Sequence, residues 1–470
     1  MENKSKYSAC TSILIGRKAS IDGTIMIGRN EDAKPAWPKH FVVRPKNYIT
    51  NHFKSTDNEF EIDLPATSAK YTATPEWTDK FGVFEEDGIN EFNVAMSATE
   101  SAYSNIRVLA SDPLVEAGIT EEAMVTVVLP FIHSAREGVQ RLGKIIEDHG
   151  TNESNGILFA DNQEAWYIET VGGHYWAAQR IPDDCYAVVA NQISIQEIDF
   201  ADSDNFMTHP KLQQFVTENQ LNPSPGTFNF RNIFGTHDAS DAVYNTPRVW
   251  YGHRMFSASQ MDDEQPESDT LPFLMKPDQL LSIDDAQNYL SSHFQGTQFD
   301  PLGSGNNSDK RKYRPISLAK TQESHVLQMN REPVNLHWLS LGVSAESVYV
   351  PFYAEINDTP LRYQRGKQQY NVNSEYWNYK LVGVLVDAHL DHFWKPMTDL
   401  QTQINTHLRE MLKNADSELE TNADSREAYL TDKSTEMAEY ASTAYRNFAR
   451  QLITESTDLS LLNFKTDANL

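Results

Sequence analysis

Cys10-Thr11-Ser12-Ile13-Leu14-Ile15-Gly16 and, after Ile21-Asp22-Gly23, the run Thr24-Ile25-Met26-Ile27-Gly28 followed by Arg29-Asn30-Glu31-Asp32 decide how this chain reads. Both runs are short, apolar and rich in β-formers, and Asp22-Gly23 accepts the positive φ of a tight I′ hairpin. Two antiparallel strands then bring Arg29 to Asp32 back towards Cys10. A two-residue turn sets Gly16 opposite Arg29 and Ile13 opposite Asp32. Arg29 thereby shares a sheet face with Cys10, while Asp32 points the other way unless the strand breaks or bulges near Asn30.

That placement matters because a thiol attacks only as thiolate and needs a base or a positive neighbour to lower its pKa from about 8.5. Arg29 supplies the charge. If the Ala9-Cys10 bond is cut, the freed α-amine of Cys10, with an ordinary pKa of about 7.7 to 8.0, lies beside the thiol as a general base. Asp32 is then placed to orient the resulting ammonium. The other cysteine, Cys185, precedes the apolar run Tyr186 to Ala190 and reads as packing.

Outward from the hairpin, Phe81 to Phe84 and Asn93 to Ala98 read as strands joined by the turn-rich Glu86 to Asn90. Helices are expected over Thr120 to Leu129, closed by Pro130, and over Ser134 to His149, where Val139, Leu142, Ile145 and Ile146 form one stripe before Gly150. Short apolar runs at 156–160, 165–170, 175–179 and 186–190 read as an antiparallel meander, and strands resume at 325–329, 338–341 and 347–352. The acidic, then Gly- and Asn-rich segment 262–315 reads as an excursion over the surface or over a site. Beyond residue 375 the apolar spacing turns helical. Two sheets with grouped helices predict a layered α+β fold rather than an alternating βαβ sheet.

Composition excludes whole classes. With 40 Lys+Arg against 66 Asp+Glu the net charge is −26, which opposes nucleic acid as a partner. No apolar run is long enough for a membrane span or a secretory signal. Two cysteines in 470 residues point to a reducing compartment, hence the cytoplasm. His133, His149, His174 and His253 fall in no HExxH pattern, and nucleotide and Gly-x-Ser-x-Gly motifs are absent, so no cofactor or metal is expected. The size is compatible with a homo-oligomer.

The blocks Cys10-Thr11-Ser12-Ile13-Leu14, Asp22-Gly23 and Gly28-Arg29-Asn30-Glu31-Asp32-Ala33 resemble the opening of the dipeptidase A family of cysteine dipeptidases, which is related to bile salt hydrolases and penicillin V acylases. Later blocks resemble it too, among them Asn90 to Ser101, Ala165 to Thr170, Tyr186 to Gln192, Thr246-Pro247-Arg248-Val249-Trp250, Arg314-Pro315-Ile316-Ser317 and Ser347 to Tyr353. The resemblance implies a four-layer αββα N-terminal-nucleophile (Ntn) hydrolase sandwich, self-removal of a leader, and hydrolysis of dipeptides. It divides the chain into residues 1–9 as leader, 10–360 as catalytic core and 361–470 as a helical region packed on that core.

Carried over residue by residue, it makes Cys10 the nucleophile, Arg29 the neighbour of the thiolate, Asp32 the partner of the α-amine, Asn191 an oxyanion donor and Arg248 a second site arginine. Glu100 stands where the bile salt hydrolases carry an asparagine, and an acid there is suited to the free amino group of a dipeptide. Two competing readings remain: a cysteine acylase cutting linear N-acyl amides on the same fold, and a non-catalytic peptide-binding protein.

Overall fold

Thr11–Ile15 and Ile25–Asp32 pair antiparallel in the middle of a seven-stranded sheet. Its order is Leu274–Met275, Tyr186–Val189, Thr11–Ile15, Ile25–Asp32, Thr321–Met329, Leu336–Leu341 and Val350–Tyr353. These come from a computed structural model that describes residues 10–99, 102–224, 226–261, 264–419 and 425–463. The expected leader therefore lies outside the described residues.

The hairpin register differs from the expectation. Ser12, not Gly16, stands opposite Arg29, and Ile13 stands opposite Gly28 rather than Asp32. The reason is that the chain leaves the sheet at Gly16 and gives its hydrogen bonds elsewhere: Gly16 N donates to Cys185 O (3.0 Å), Lys18 N to Asp183 O (2.7 Å) and Ile21 N to Leu281 O (2.9 Å). Gly23, at φ +76°, still makes a sharp reversal, with Asp22 Oδ1 accepting from Thr24 N at 3.1 Å. The slip is even, so side chains keep their faces. Arg29 and Glu31 share one face with Cys10, and Asn30 and Asp32 take the other. Nor does the strand break at Asn30; it runs unbroken to Asp32, and the irregularity sits on the neighbouring strand between Thr321 and Glu323.

The second sheet has six strands in the order Phe206–Thr208, Tyr175–Ile181, Ala165–Val171, Gly156–Ala160, Ala95–Thr99 and Asp87–Ile89. Leu14, Ile27, Val189 and Leu327 from the first sheet meet Ala95, Leu158, Tyr167 and Ala177 from the second in one buried layer. On the far side of the second sheet Phe159, Trp166, Ile168 and Trp176 pack against the helices Glu121–Val128 and Ala135–His149. The latter is built as its sequence demands: Ser134 caps it by accepting from Glu137 N, the Val139-Leu142-Ile146 stripe is fully buried, and Gly150 ends it at φ +72°. On the far side of the first sheet Ile13, Met26, Val326, Trp338 and Phe352 are covered by Thr246–Phe256, Ile283–Leu290 and the long helices Glu375–Ala388, Leu390–Glu418 and Arg426–Ser456. The result is an α+β sandwich of four layers.

Two segments read differently from their sequence. Phe81 to Phe84 is not a strand, because Gly82 (φ +121°) and Phe84 (φ +44°) bend the backbone out of extended geometry; the strand is Asp87–Ile89, inside the stretch expected to turn. The segment 262–315, where described, is more than a surface excursion. Its helix Ile283–Leu290, started by a Ser282/Asp285 capping box, buries Ala286, Tyr289 and Leu290 completely. Leu290 O accepts from Asn30 Nδ2 at 2.7 Å, which ties this segment to the strand that carries Arg29.

Candidate active site

Cys10 is 1% exposed and opens the first strand with its sulfur towards the layer between the sheets. Its thiol donates to Glu31 Oε2 (3.2 Å), and Arg29 Nη1 donates to Sγ (3.4 Å). Alternation along Ile25–Asp32 puts Arg29 and Glu31 on this face together. Arg29 is itself fully buried and its guanidinium is saturated: Nη1 pairs with Glu31, Nη2 with Glu86 Oε2 (3.0 Å) and Glu86 O (3.0 Å), and Nε donates to Ser97 Oγ (2.8 Å). Lys39, also buried, pairs with Glu86 from the other side. Glu121, the first residue of its helix, brings Oε1 to 3.9 Å from Arg29 Nη1.

This charge pattern sets the thiol. Burial, then Glu31, push the Cys10 pKa well up, and Arg29 only partly offsets them.

Behind Arg29 runs a second buried network. Ser97 Oγ also lies 3.0 Å from His325 Nε2, and His325 Nδ1 lies 3.0 Å from Asp87 Oδ2 and 3.1 Å from Glu323 Oε2. Burial works against charge on His325, but Asp87 and Glu323 outweigh it and push its pKa up to about 9. Asp87, Glu323 and His325 bring potential ligand atoms within 4.8 Å of one another, as do Cys10, Glu31 and Glu121. His325 thus sits between the carboxylates of Asp87 and Glu323 in a fully buried polar cluster.

On the backbone side of Cys10 the partners are different. Arg248, fully buried on the helix Thr246–Phe256, donates through Nη1 to Cys10 O (2.6 Å) and Thr11 Oγ1 (2.7 Å), and through Nη2 to Asn191 Oδ1 (2.7 Å) and Asn245 Oδ1 (2.8 Å). Burial and the like charge on Arg314 pull its pKa down. Asn191 is fully buried two residues beyond the strand Tyr186–Val189. Since Ser12 pairs with Val189, continuing that register sets Asn191 level with Cys10. A pocket of about 480 Å³ adjoins this side, lined by Tyr103, Ser104, Asp241, Tyr244 and Asn245; Tyr244 O and Asn245 Oδ1 both accept from Arg248 (2.9 and 2.8 Å).

Of the residues expected from sequence, Arg29, Arg248 and Asn191 are thus gathered within one or two contacts of Cys10. Asp32 lies on the opposite strand face, where its carboxylate accepts from Arg314 and Thr321. Arg314 in turn reaches Thr11 Oγ1 at 3.4 Å, so Asp32 is linked to the residue after Cys10 rather than to the sulfur. Glu100 lies outside the described residues. Sequence reasoning missed Glu31, Glu86, Glu121, Lys39, Ser97, His325 and Arg314. Glu31 was readable, two positions from Arg29 on the same strand face. The others arrive from separate elements and carried no local signal.

The match to known proteins extends over nearly the whole chain. A probable dipeptidase of Latilactobacillus sakei is 43% identical over 100% of both chains, and probable dipeptidase B of Lactococcus lactis is 40% identical over 98% of both. Dipeptidase A of Lactobacillus helveticus is 39% identical over 82% of this chain and 83% of its own. Penicillin V acylase from Agrobacterium tumefaciens aligns over 73% of this chain and 86% of its own at 15% identity, with a TM-score of 0.32 that is too low to carry a structural argument. The model of peptidase family C69 matches residues 9–403. With that match and these relatives, the chain belongs to peptidase family C69.

Proposed function

We propose that Cys10 is the nucleophile with which this enzyme hydrolyses dipeptides, and that it acts once cleavage of the Ala9-Cys10 bond has freed its α-amine. The observation that supports this most directly is the convergence of two buried arginines on one residue, Arg29 on its sulfur and Arg248 on its carbonyl oxygen. A packing cysteine has no need of either.

The freed amine takes the thiol proton, the thiolate attacks the scissile carbonyl carbon, and the amine returns the proton to the departing amino acid. Water, deprotonated by the same amine, then attacks the thioester and releases the other residue. Arg29 offsets the thiolate's charge. Arg248 fixes the Cys10 carbonyl and, by holding Asn191 Oδ1, orients that amide so that Nδ2 is the end turned away from Arg248, as an oxyanion donor requires. Asp32 contributes by anchoring Arg314 and the strand end beside Cys10, with the α-amine as its proposed partner. The curated relatives' names as dipeptidases support free dipeptides over N-acyl amides as substrates. No helix among the described residues is long and apolar enough to cross a membrane; the two free cysteines and the −26 charge favour the cytoplasm and oppose nucleic acid.

Cys10→Ser and Cys10→Ala test this together, by intact mass and dipeptide turnover. Turnover is expected to fall at least about 10³-fold in both, with Met1 to Ala9 retained in the alanine variant. An alanine variant that keeps dipeptide cleavage sinks the proposal.

A further inference from the structure

Three carboxylates, those of Glu31, Glu86 and Glu121, crowd the buried space around the Cys10 sulfur, against two cations, Arg29 and Lys39. Glu86 is used up between both cations. Glu31 shares Arg29 Nη1 with the thiol. Glu121 reaches Arg29 only at the long distance of 3.9 Å, from Oε1 to Nη1. It is 5% exposed, and its Oε1 accepts no hydrogen bond among the described residues, while one carboxylate oxygen of Glu121, one of Glu31 and Sγ lie within 4.8 Å of one another. An acid in such a place is costly unless something cationic joins it. Burial, then Glu31 and Glu86, push its pKa well up, and a neighbouring cation would bring it down again.

The geometry of a dipeptide fits that vacancy in charge. Its α-nitrogen is two bonds, about 2.5 Å, from the scissile carbonyl carbon, and that carbon must come to about 3–3.5 Å from the sulfur. The nitrogen is therefore confined to a shell that carboxylate oxygens within 4.8 Å of the same sulfur reach at ion-pair distance. We infer that Glu121, with Glu31, receives the α-ammonium group of the substrate and so selects peptides with a free amino terminus. This rests on the reading of Cys10 as nucleophile and deepens it: an N-acylated peptide brings no charge for Glu121 to balance and adds bulk where the sandwich is closed. The dipeptide preference is then built into the strand of the nucleophile's own hairpin and the first turn of the neighbouring helix. Glu121 binds without taking part in bond making.

The test is Glu121→Gln, which keeps the shape and removes the charge. Intact mass first establishes that Met1 to Ala9 has been removed as in the wild type. Then kcat/KM is measured for a free dipeptide, and Ki for its desamino analogue, which lacks only the α-amino group. The expected result is a fall of about 100-fold in kcat/KM for the dipeptide, carried mainly by KM, with Ki for the analogue following by less than about threefold. Equal losses on both, or none on either, overturn the inference, because a carboxylate serving the Cys10 amine or the fold does not distinguish the two ligands. Should Glu121→Gln be insoluble, Glu31→Gln is read by the same ratio. A wild-type protein inert towards dipeptides fails at an earlier and separate point, the assignment of Cys10 itself, and takes this inference with it.

Discussion

Asn191 is the residue at which the catalytic reading is most exposed to a simple experiment, because its side chain is fully buried two residues beyond the strand Tyr186–Val189, with Oδ1 accepting from Arg248 Nη2 at 2.7 Å. A single oxyanion donor is worth about 3–4 kcal/mol to a transition state, whereas a lost hydrogen bond to a charged partner costs about 1.5–3 kcal/mol of folding. Asn191→Ala is therefore expected to lower kcat by about 10²–10³ in the folded protein, with KM little changed and a loss of stability of no more than about 3 kcal/mol; a folded variant that keeps its kcat would reduce Asn191 to a strut for Arg248. At this scale the sequence went far, since alternation alone put Arg29 on the face of Cys10 and turned Asp32 from it. It stopped at Glu86 and Glu121, whose positions depend on a second sheet and a helix meeting the hairpin, a juxtaposition that no local pattern encodes.

The strand Thr321–Met329 shows what an element contributes beyond a single contact. It is buried along its whole length and lays His325 between Asp87 and Glu323, with Ser97 joining the imidazole to Arg29 Nε. The folded pKa of His325, about 9, lies above the ordinary value of about 6.5, so its contribution to stability is fully present below about pH 6.5 and is lost as pH rises towards 9. Denaturant unfolding should show stability declining across that window, by an amount on the order of 3 kcal/mol. His325→Gln should flatten the decline and be less stable than wild type at pH 6; an unchanged slope in that variant would assign the pH dependence elsewhere. The strand's existence was readable from its β-branched and apolar content, but its start was not. Thr321 to Ser324 is polar, and it becomes a buried strand because Asp32 and Tyr349 supply partners that only the assembled sheet contains. The hairpin register failed for a related reason: Asp22-Gly23 signals a turn, but whether Gly16 to Ala19 stay in the ladder depends on competing carbonyls at Asp183 and Cys185.

At the scale of the molecule, the three long C-terminal helices are a layer of the sandwich rather than an appendage. They cover the outer face of the sheet that holds Cys10, where Tyr379, Leu408, Met437 and Tyr445 share one buried cluster with Trp338, Val350 and Phe352. Polar ties lock the layer in place: Tyr445 OH donates to Glu346 O (2.9 Å), Tyr353 OH to Asp416 Oδ1 (2.7 Å), and Lys380 Nζ to Ala319 O (2.8 Å). Removing a sheet's apolar cover exposes a contiguous patch that water does not tolerate and that other chains bind. A chain ended after Asn373 is thus expected to be insoluble or to lack a cooperative unfolding transition, even though every residue assigned to the chemistry is retained. The graded version is Leu408→Ala, which should cost about 2–5 kcal/mol in unfolding free energy while the surviving folded fraction keeps its kcat. If instead the shortened chain is soluble, unfolds cooperatively and cleaves dipeptides at the full rate, the helices belong to some other task, and the core that shapes the Cys10 site closes without them.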